Sequence, residues 1–178
     1  MESTLIKKEE LTDKLRKLED DKIILKRYLS QYYICKKKKS LLERRLKEVN
    51  IELKQPIGGV GYSQVPRSQT NAVSLGSASI IFRIAEIEER IANQKDIVSM
   101  AMLKTMDIMD FLPETSTERM ILELRHIDCV SWEQVVKDTS LTRTPCNNYY
   151  NKGIDKLMEY KKVRRIIDTY KKTLEDDE

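Results

Sequence analysis

ERMILELRHIDCVSWEQVVKDTSLTRTPCNNYYNKGIDK, residues 118–156, carries short apolar rhythms separated by residues that stop and restart helices. Ile121, Leu124 and Ile127 recur every third position, which puts them on one face of a first helix over about 117–127. Ser131-Trp132-Glu133-Gln134 then fits a capping box: the serine oxygen accepts from the N–H three residues on, and the Gln134 side chain reaches back to the serine N–H. The helix that it opens is short, with Trp132, Val135 and Val136 as its core face and Thr139-Ser140 as its end. Leu141 plugs the turn and Thr142 caps a third helix. Pro145 is tolerated at the third position of that helix, because first-turn N–H groups have no intrahelical acceptor to lose. The spacing predicts a helix-turn-helix.

In the third helix, Cys146, one of Tyr149 and Tyr150, Gly153, Ile154 and Leu157 face inward. Arg143, Thr144, Asn147, Asn148, Asn151 and Lys152 are left outside, and with Lys156 they form the candidate nucleic-acid contacts. The residue types suit a DNA groove: arginine bonds bidentately to guanine, asparagine to adenine, and lysine or threonine to phosphate. Gly153 costs about 1 kcal/mol relative to alanine in a helix interior, so a close helix contact is expected there. A plain three-helix domain with a polar face is the simpler alternative. It leaves the combination of two short helices, a tight turn and an Asn/Arg/Lys-rich third helix unexplained.

Composition narrows the class. Of 178 residues, 40% are apolar and 35% charged, with 5 glycines and 4 prolines, which favours an almost wholly helical chain over a compact α/β enzyme. Cys35, Cys129 and Cys146 are far apart and His126 is the single histidine, so no Cys/His zinc site assembles within one chain and reduced thiols are expected. No paired carboxylates or clustered Ser/His/Asp give a catalytic constellation, and His126 at the end of an apolar helix reads as a packing or surface residue and not as a general base, so neither an enzyme nor a cofactor is expected. There is no signal-type leader and no apolar run of membrane length, which points to a cytoplasmic protein with no membrane partner. The net charge is only +4, but residues 143–172 hold 9 Lys/Arg against 3 Asp/Glu, whereas residues 113–142 hold 3 against 6. The positive potential thus falls on the third helix and its continuation.

Residues 1–54 contain neither proline nor glycine, and Leu11, Leu15, Leu18, Leu25, Leu29 and Tyr32 keep a four-three rhythm that resumes at Leu42, Leu46, Val49 and Leu53. Lys22 and Lys36 stand where the rhythm calls for apolar residues. A long N-terminal helix in a hairpin or short coiled coil follows. Lys36-Lys37-Lys38-Lys39, with Arg44, Arg45 and Lys47, reads either as a phosphate-contacting patch or as a solvated face. Residues 55–79 hold four of the five glycines and two of the four prolines and read as a flexible linker, with Ser77 or Ser79 capping the next helix. GGVG lacks the Lys-Ser/Thr of a phosphate-binding loop.

Residues 80–112 form a second long helix with Ile84, Ile87, Ile91, Val98, Met102 and Ile108 on one face, completed by Gln94 and Thr105. Its charge is opposite in sign to that of the first helix, which favours an antiparallel pair. Pro113 closes it, and residues 113–178 form the helix-turn-helix domain with a C-terminal helical extension. In that extension Tyr160, Val163, Ile167, Tyr170 and Leu174 continue the third helix without a break. The fold class is all-α: an elongated helical hairpin or coiled coil followed by a helix-turn-helix. The apolar stripes present more surface than one small domain covers, so a homo-oligomer is expected.

Residues 117–157 resemble region 4 of bacterial sigma-70 factors in the run Ser131-Trp132-Glu133-Gln134-Val135-Val136, in Thr142 to Cys146, and in Gly153-Ile154 with Leu157. Gly153 stands where alanine is usual, and Pro145-Cys146 where Thr-Val is usual. The layout resembles phage and prophage late-gene regulators of the RinA, ArpU and positive-control-factor type. That resemblance implies a double-stranded DNA-binding regulator in the bacterial host cytoplasm, activating packaging and structural genes, with RNA polymerase as a further candidate partner. Two other readings stand beside it: a polymerase- or terminase-binding adaptor, and a purely structural helical protein.

Overall fold

A computed structural model of the chain describes the backbone of residues 2–54 and 72–176 and the side chains of residues 16–54 and 78–176. Every regular element among the described residues is a helix. In order they are α1 (Glu2–Leu29), α2 (Gln31–Lys54), α3 (Ala72–Met109), α4 (Thr117–His126), α5 (Trp132–Thr139), α6 (Arg143–Glu159) and α7 (Lys161–Asp176). The all-α expectation holds. The chain divides into two compact units, Met1–Ile34 with Met100–Glu178, and Cys35–Ser99.

The discontinuous unit carries the main core. Leu25 and Leu29 of α1, Ile108 and Met109 of α3, Leu122 of α4, Ile154 and Leu157 of α6, and Val163 and Ile167 of α7 are buried together. A second, smaller core of Ile121, Val135 and Cys146 lies among α4, α5 and α6, with Trp132, Leu141 and Tyr149 packed against it. The N-terminal rhythm does not pack along its whole length: Leu18 is 44% exposed, and the side chains of Leu11 and Leu15 lie outside the described residues.

Three boundaries differ from those expected. The single helix over 1–54 is divided at Ser30, whose hydroxyl donates to the Lys26 carbonyl at 2.8 Å, although backbone bonds still run from Ser30 N–H to Lys26 and from Ile34 N–H to Ser30. A hydroxyl that competes for an i−4 carbonyl loosens the helical ladder at that turn. Of the linker, residues 55–71 lie outside the described residues, while α3 begins at Ala72, so Ser77 and Ser79 stand inside a helix and not at its start. One interior glycine, Gly76, costs only about 1 kcal/mol, which a helix of this length absorbs.

The third difference is at Tyr160. It is extended (φ −78°, ψ 123°) and separates α6 from α7, where an unbroken helix was expected. Leu157 and Val163 are six positions apart; at about 100° per residue a continuous helix would turn Val163 about 120° off the stripe of Leu157. The break re-aims Val163 and Ile167 into the core, and Phe111 packs on the Tyr160 ring at 5.2 Å.

Candidate nucleic-acid interface

α4 and α5 are short helices of 10 and 8 residues with serine caps, and α6, of 17 residues, follows them. Ser116 caps α4 by accepting from the Arg119 N–H at 3.2 Å, and Ser131 caps α5 by accepting from Gln134 N–H at 3.2 Å. The reciprocal half of the expected box is turned forward, with the Gln134 amide donating to Asp138 at 2.6 Å. Ser140 ends α5 in the left-handed region (φ 55°) and turns the chain sharply; Leu141 and Thr142 then lead into α6. Thr142 occupies the N-cap position of α6 without a side-chain cap bond.

α6 lies tightly on α4. A Cβ at Gly153 would meet Leu122 Cδ1 at 2.7 Å and Glu118 Cβ at 3.2 Å, so the expected close approach is present. Beside it Glu118 Oε1 accepts from Lys156 Nζ at 2.8 Å and lies 3.4 Å from Lys152 Nζ. The hydrogen bond from Lys156 holds the Glu118 carboxyl below the usual range, against the opposing effect of burial. Arg119 fastens the start of α4 through Glu123 at 2.7 Å, Asp110 at 2.8 Å and the Leu112 carbonyl at 3.1 Å.

The seven candidate contacts therefore separate into groups. Thr144 and Asn148 are exposed and Asn147 is half-buried, all in the N-terminal half of α6. Arg143 is exposed too, but its guanidinium lies over the Trp132 ring, 4.5 Å from the centroid. Asn151 accepts from Lys26 of α1 at 3.1 Å. Lys152 and Lys156 face Glu118.

α1 was not expected at this site. It runs antiparallel to α6, with Lys26 at Asn151 and Lys22 at Asp155 (2.6 Å), while Asp21 pairs with Lys171 of α7. The one available signal was the lysine in an apolar register position: Lys22 interrupts the stripe because that face of α1 meets Asp155, not an apolar partner. Lys26 also lies 5.5 Å from the Tyr150 ring centroid.

Under this surface is a buried polar pair. His126 Nε2 and the Tyr150 hydroxyl share a hydrogen bond of 3.0 Å, and Tyr150 meets Trp132 edge-on at 5.4 Å. Burial, then the Arg125 charge, lower the His126 pKa to about 4, against an opposing hydrogen bond at the Leu29 backbone. Burial also pushes Tyr150 up to about 12. Both groups are neutral at pH 7 and join α1, α4 and α6. Arg125 donates to the Val130 carbonyl and lies 5.0 Å from the Trp132 centroid, which places two arginines on one indole.

Neither a family model, nor a curated protein, nor a solved structure matches the chain. The outer stripe of α6 runs from neutral hydrogen-bonding residues, Thr144 and Asn148, to Asp155, whose charge Lys22 offsets. No group of three or more His, Cys, Asp or Glu able to hold a metal ion occurs among the described residues, and no described helix is long and apolar enough to cross a membrane.

Proposed function

We propose that α4, α5 and α6 act as a helix-turn-helix that reads double-stranded DNA, with the N-terminal half of α6 in the major groove. The supporting observation is the eight-residue α5 followed by a tight turn and by a helix whose first turns carry Arg143, Thr144, Asn147 and Asn148. Amide, hydroxyl and guanidinium groups at a helix N-terminus suit base edges, and the positive end of the helix dipole suits the adjacent phosphates. Lys26 adds a cation along the flank and Lys22 offsets Asp155 there, while Lys152 and Lys156 hold α6 to α4.

With the resemblance to sigma-70 region 4 and to phage late-gene regulators, the DNA is promoter-proximal and the role is activation of late transcription in a bacterial cytoplasm. The chain acts as a homo-oligomer, because one weakly basic helix-turn-helix gains affinity by binding two half-sites. RNA polymerase is the partner that such activation requires. The adaptor reading, in which these helices contact polymerase or terminase and not DNA, draws on the intramolecular pairing of Asn151, Lys152 and Lys156.

Selection of bound duplexes from random sequence, followed by anisotropy titrations, tests the reading. Asn148→Ala is expected to weaken specific binding about tenfold or more, since a good bidentate base contact discriminates by about 1–3 kcal/mol. Affinity is expected to fall steeply as salt rises. No enriched sequence, or a flat salt response with Asn148→Ala binding like the parent, would transfer the surface to a protein partner.

A further inference from the structure

Three helix ends meet at the indole of Trp132. Arg125 belongs to the last turn of α4, Trp132 opens α5 and Arg143 opens α6. The Arg125 guanidinium carbon lies 5.0 Å from the ring centroid and that of Arg143 4.5 Å, so two cations share one aromatic side chain. Neither arginine has an ion pair among the described residues, and Glu133, the acid next to the indole in sequence, is exposed and pairs with neither.

The indole is held from below. Trp132 packs against the buried core of Ile121, Val135 and Cys146, and Tyr150 meets its ring edge-on at 5.4 Å. Arg125 is half-buried and donates to the Val130 carbonyl. Stacking uses the face of a guanidinium and leaves its edge free, so the other N–H groups of Arg125, and those of Arg143, remain for a further acceptor. Stability does not account for the pair. The two charges repel each other, and in the first turn of α6, which holds no acid, a cation opposes the helix dipole. The attraction of an arginine to an indole is of similar size to these repulsions, so the fold gains little from the arrangement. An anion that accepts from both free edges removes both repulsions at once.

We propose that Trp132 is a platform that presents Arg125 and Arg143 to the phosphate backbone of the bound duplex, a sequence-blind clamp beside the base readers Thr144, Asn147 and Asn148. In a helix-turn-helix the helix before the reading helix crosses the backbone. α5 is that helix here, and the indole stands at its start. Arginine suits a phosphate because its planar fork makes two parallel N–H···O bonds. Arg125 and Arg143 are thus phosphate contacts, and Trp132 is a positioning residue. This rests on the DNA reading proposed above and assigns Arg143 to phosphate and not to a base.

Anisotropy titrations of the full chain over a range of salt, on a random-sequence duplex and on the duplex enriched by selection, test it. Arg125→Gln and Arg143→Gln are each expected to make the slope of log affinity against log salt shallower by about 0.9 on both duplexes, the value of one phosphate contact, and to enrich the same sequence as the parent. Glutamine keeps a donor for the Val130 carbonyl, and helix content by circular dichroism is expected to be unchanged. Trp132→Leu is expected to weaken binding to both duplexes about threefold or more, and Trp132→Phe, which keeps a ring, by less. In a chain that already carries both glutamines, Trp132→Leu is expected to weaken binding no further, whereas misfolding would weaken both backgrounds alike. Unchanged salt slopes, an altered enriched sequence for Arg143→Gln, or an equal Trp132→Leu loss in both backgrounds overturns the proposal. If Asn148→Ala still weakens binding to the enriched duplex in that case, the DNA reading stands and the clamp alone fails. Absence of binding to either duplex overturns both.

Discussion

Gly153 and His126 show how much of this molecule depends on single positions. Alanine at 153 improves helix propensity by about 1 kcal/mol, but its Cβ would sit 2.7 Å from a Leu122 methyl that is itself fully buried, and 3.2 Å from Glu118 Cβ. Overpacking of this kind costs about 1–3 kcal/mol, so steric cost wins. Gly153→Ala is expected to lower Tm by about 2–4 °C, and Gly153→Val by more, in a thermal melt. An unchanged Tm would mean that Leu122 turns aside freely. His126 has a folded-state pKa of about 4 against 6.5 in its unperturbed state, so as pH falls the unfolded chain takes the proton first. Its contribution is complete above pH 6.5 and is lost progressively down to about pH 4, by up to about 3 kcal/mol. Glu118, whose pKa is lowered, gives up its contribution at more acidic pH, as pH falls through and below its ordinary 4.5. Denaturant melts across this range are expected to show a slope that His126→Gln flattens, because glutamine keeps a partner for Tyr150 but takes no proton. Identical slopes in the two chains would count against burial of the imidazole. The sequence leaves His126 open between packing and surface and marks an inward Gly153 as a close contact; it has no way to join His126 to Tyr150, twenty-four residues away.

At the scale of elements, stop and start signals were legible where one side chain meets its own helix, and less so where the partner is remote. Ser131 was identified as a cap and accepts the Gln134 N–H; Thr142 takes the cap position but makes no such bond. Ser131→Ala is therefore expected to cost about 1 kcal/mol. Thr142→Ala is expected to cost less than about 0.5 kcal/mol, as at an ordinary surface position. Equal losses in chemical denaturation would show that Thr142 caps α6 in solution. The end of α6 escaped because Leu157, Tyr160 and Val163 keep a three-residue step that mimics one helix, while the core requires a change of direction at Tyr160. The start of α3 escaped because Gly76 and the serines near it resemble a linker. In the candidate interface, exposure of Thr144 and Asn148 followed from helical phase alone. The pairing of Asn151 with Lys26, and of Lys152 and Lys156 with Glu118, did not, since periodicity gives the face of a residue and not what lies opposite.

At the scale of the molecule, residues far apart in sequence close one core, and this sets where the chain can be cut. Ile154, Leu157, Val163 and Ile167 are buried against Leu25, Leu29, Ile108, Met109 and Leu112, all five of which precede residue 113. Burying one large aliphatic side chain contributes about 1.5–3 kcal/mol. Losing five such partners removes about 10 kcal/mol, comparable to the whole stability of a typical domain. A fragment of residues 113–178, the boundary suggested by Pro113, is thus expected to lack a cooperative thermal transition and to bind a hydrophobic dye. A chain in which a Gly-Ser linker replaces residues 35–99 keeps every one of these core residues and is expected to melt cooperatively. Were the short fragment to melt as sharply as the full chain, α1 and the end of α3 would be dispensable. Lys22 and Lys26 would then be ornaments of the α6 surface and not part of the unit that presents it.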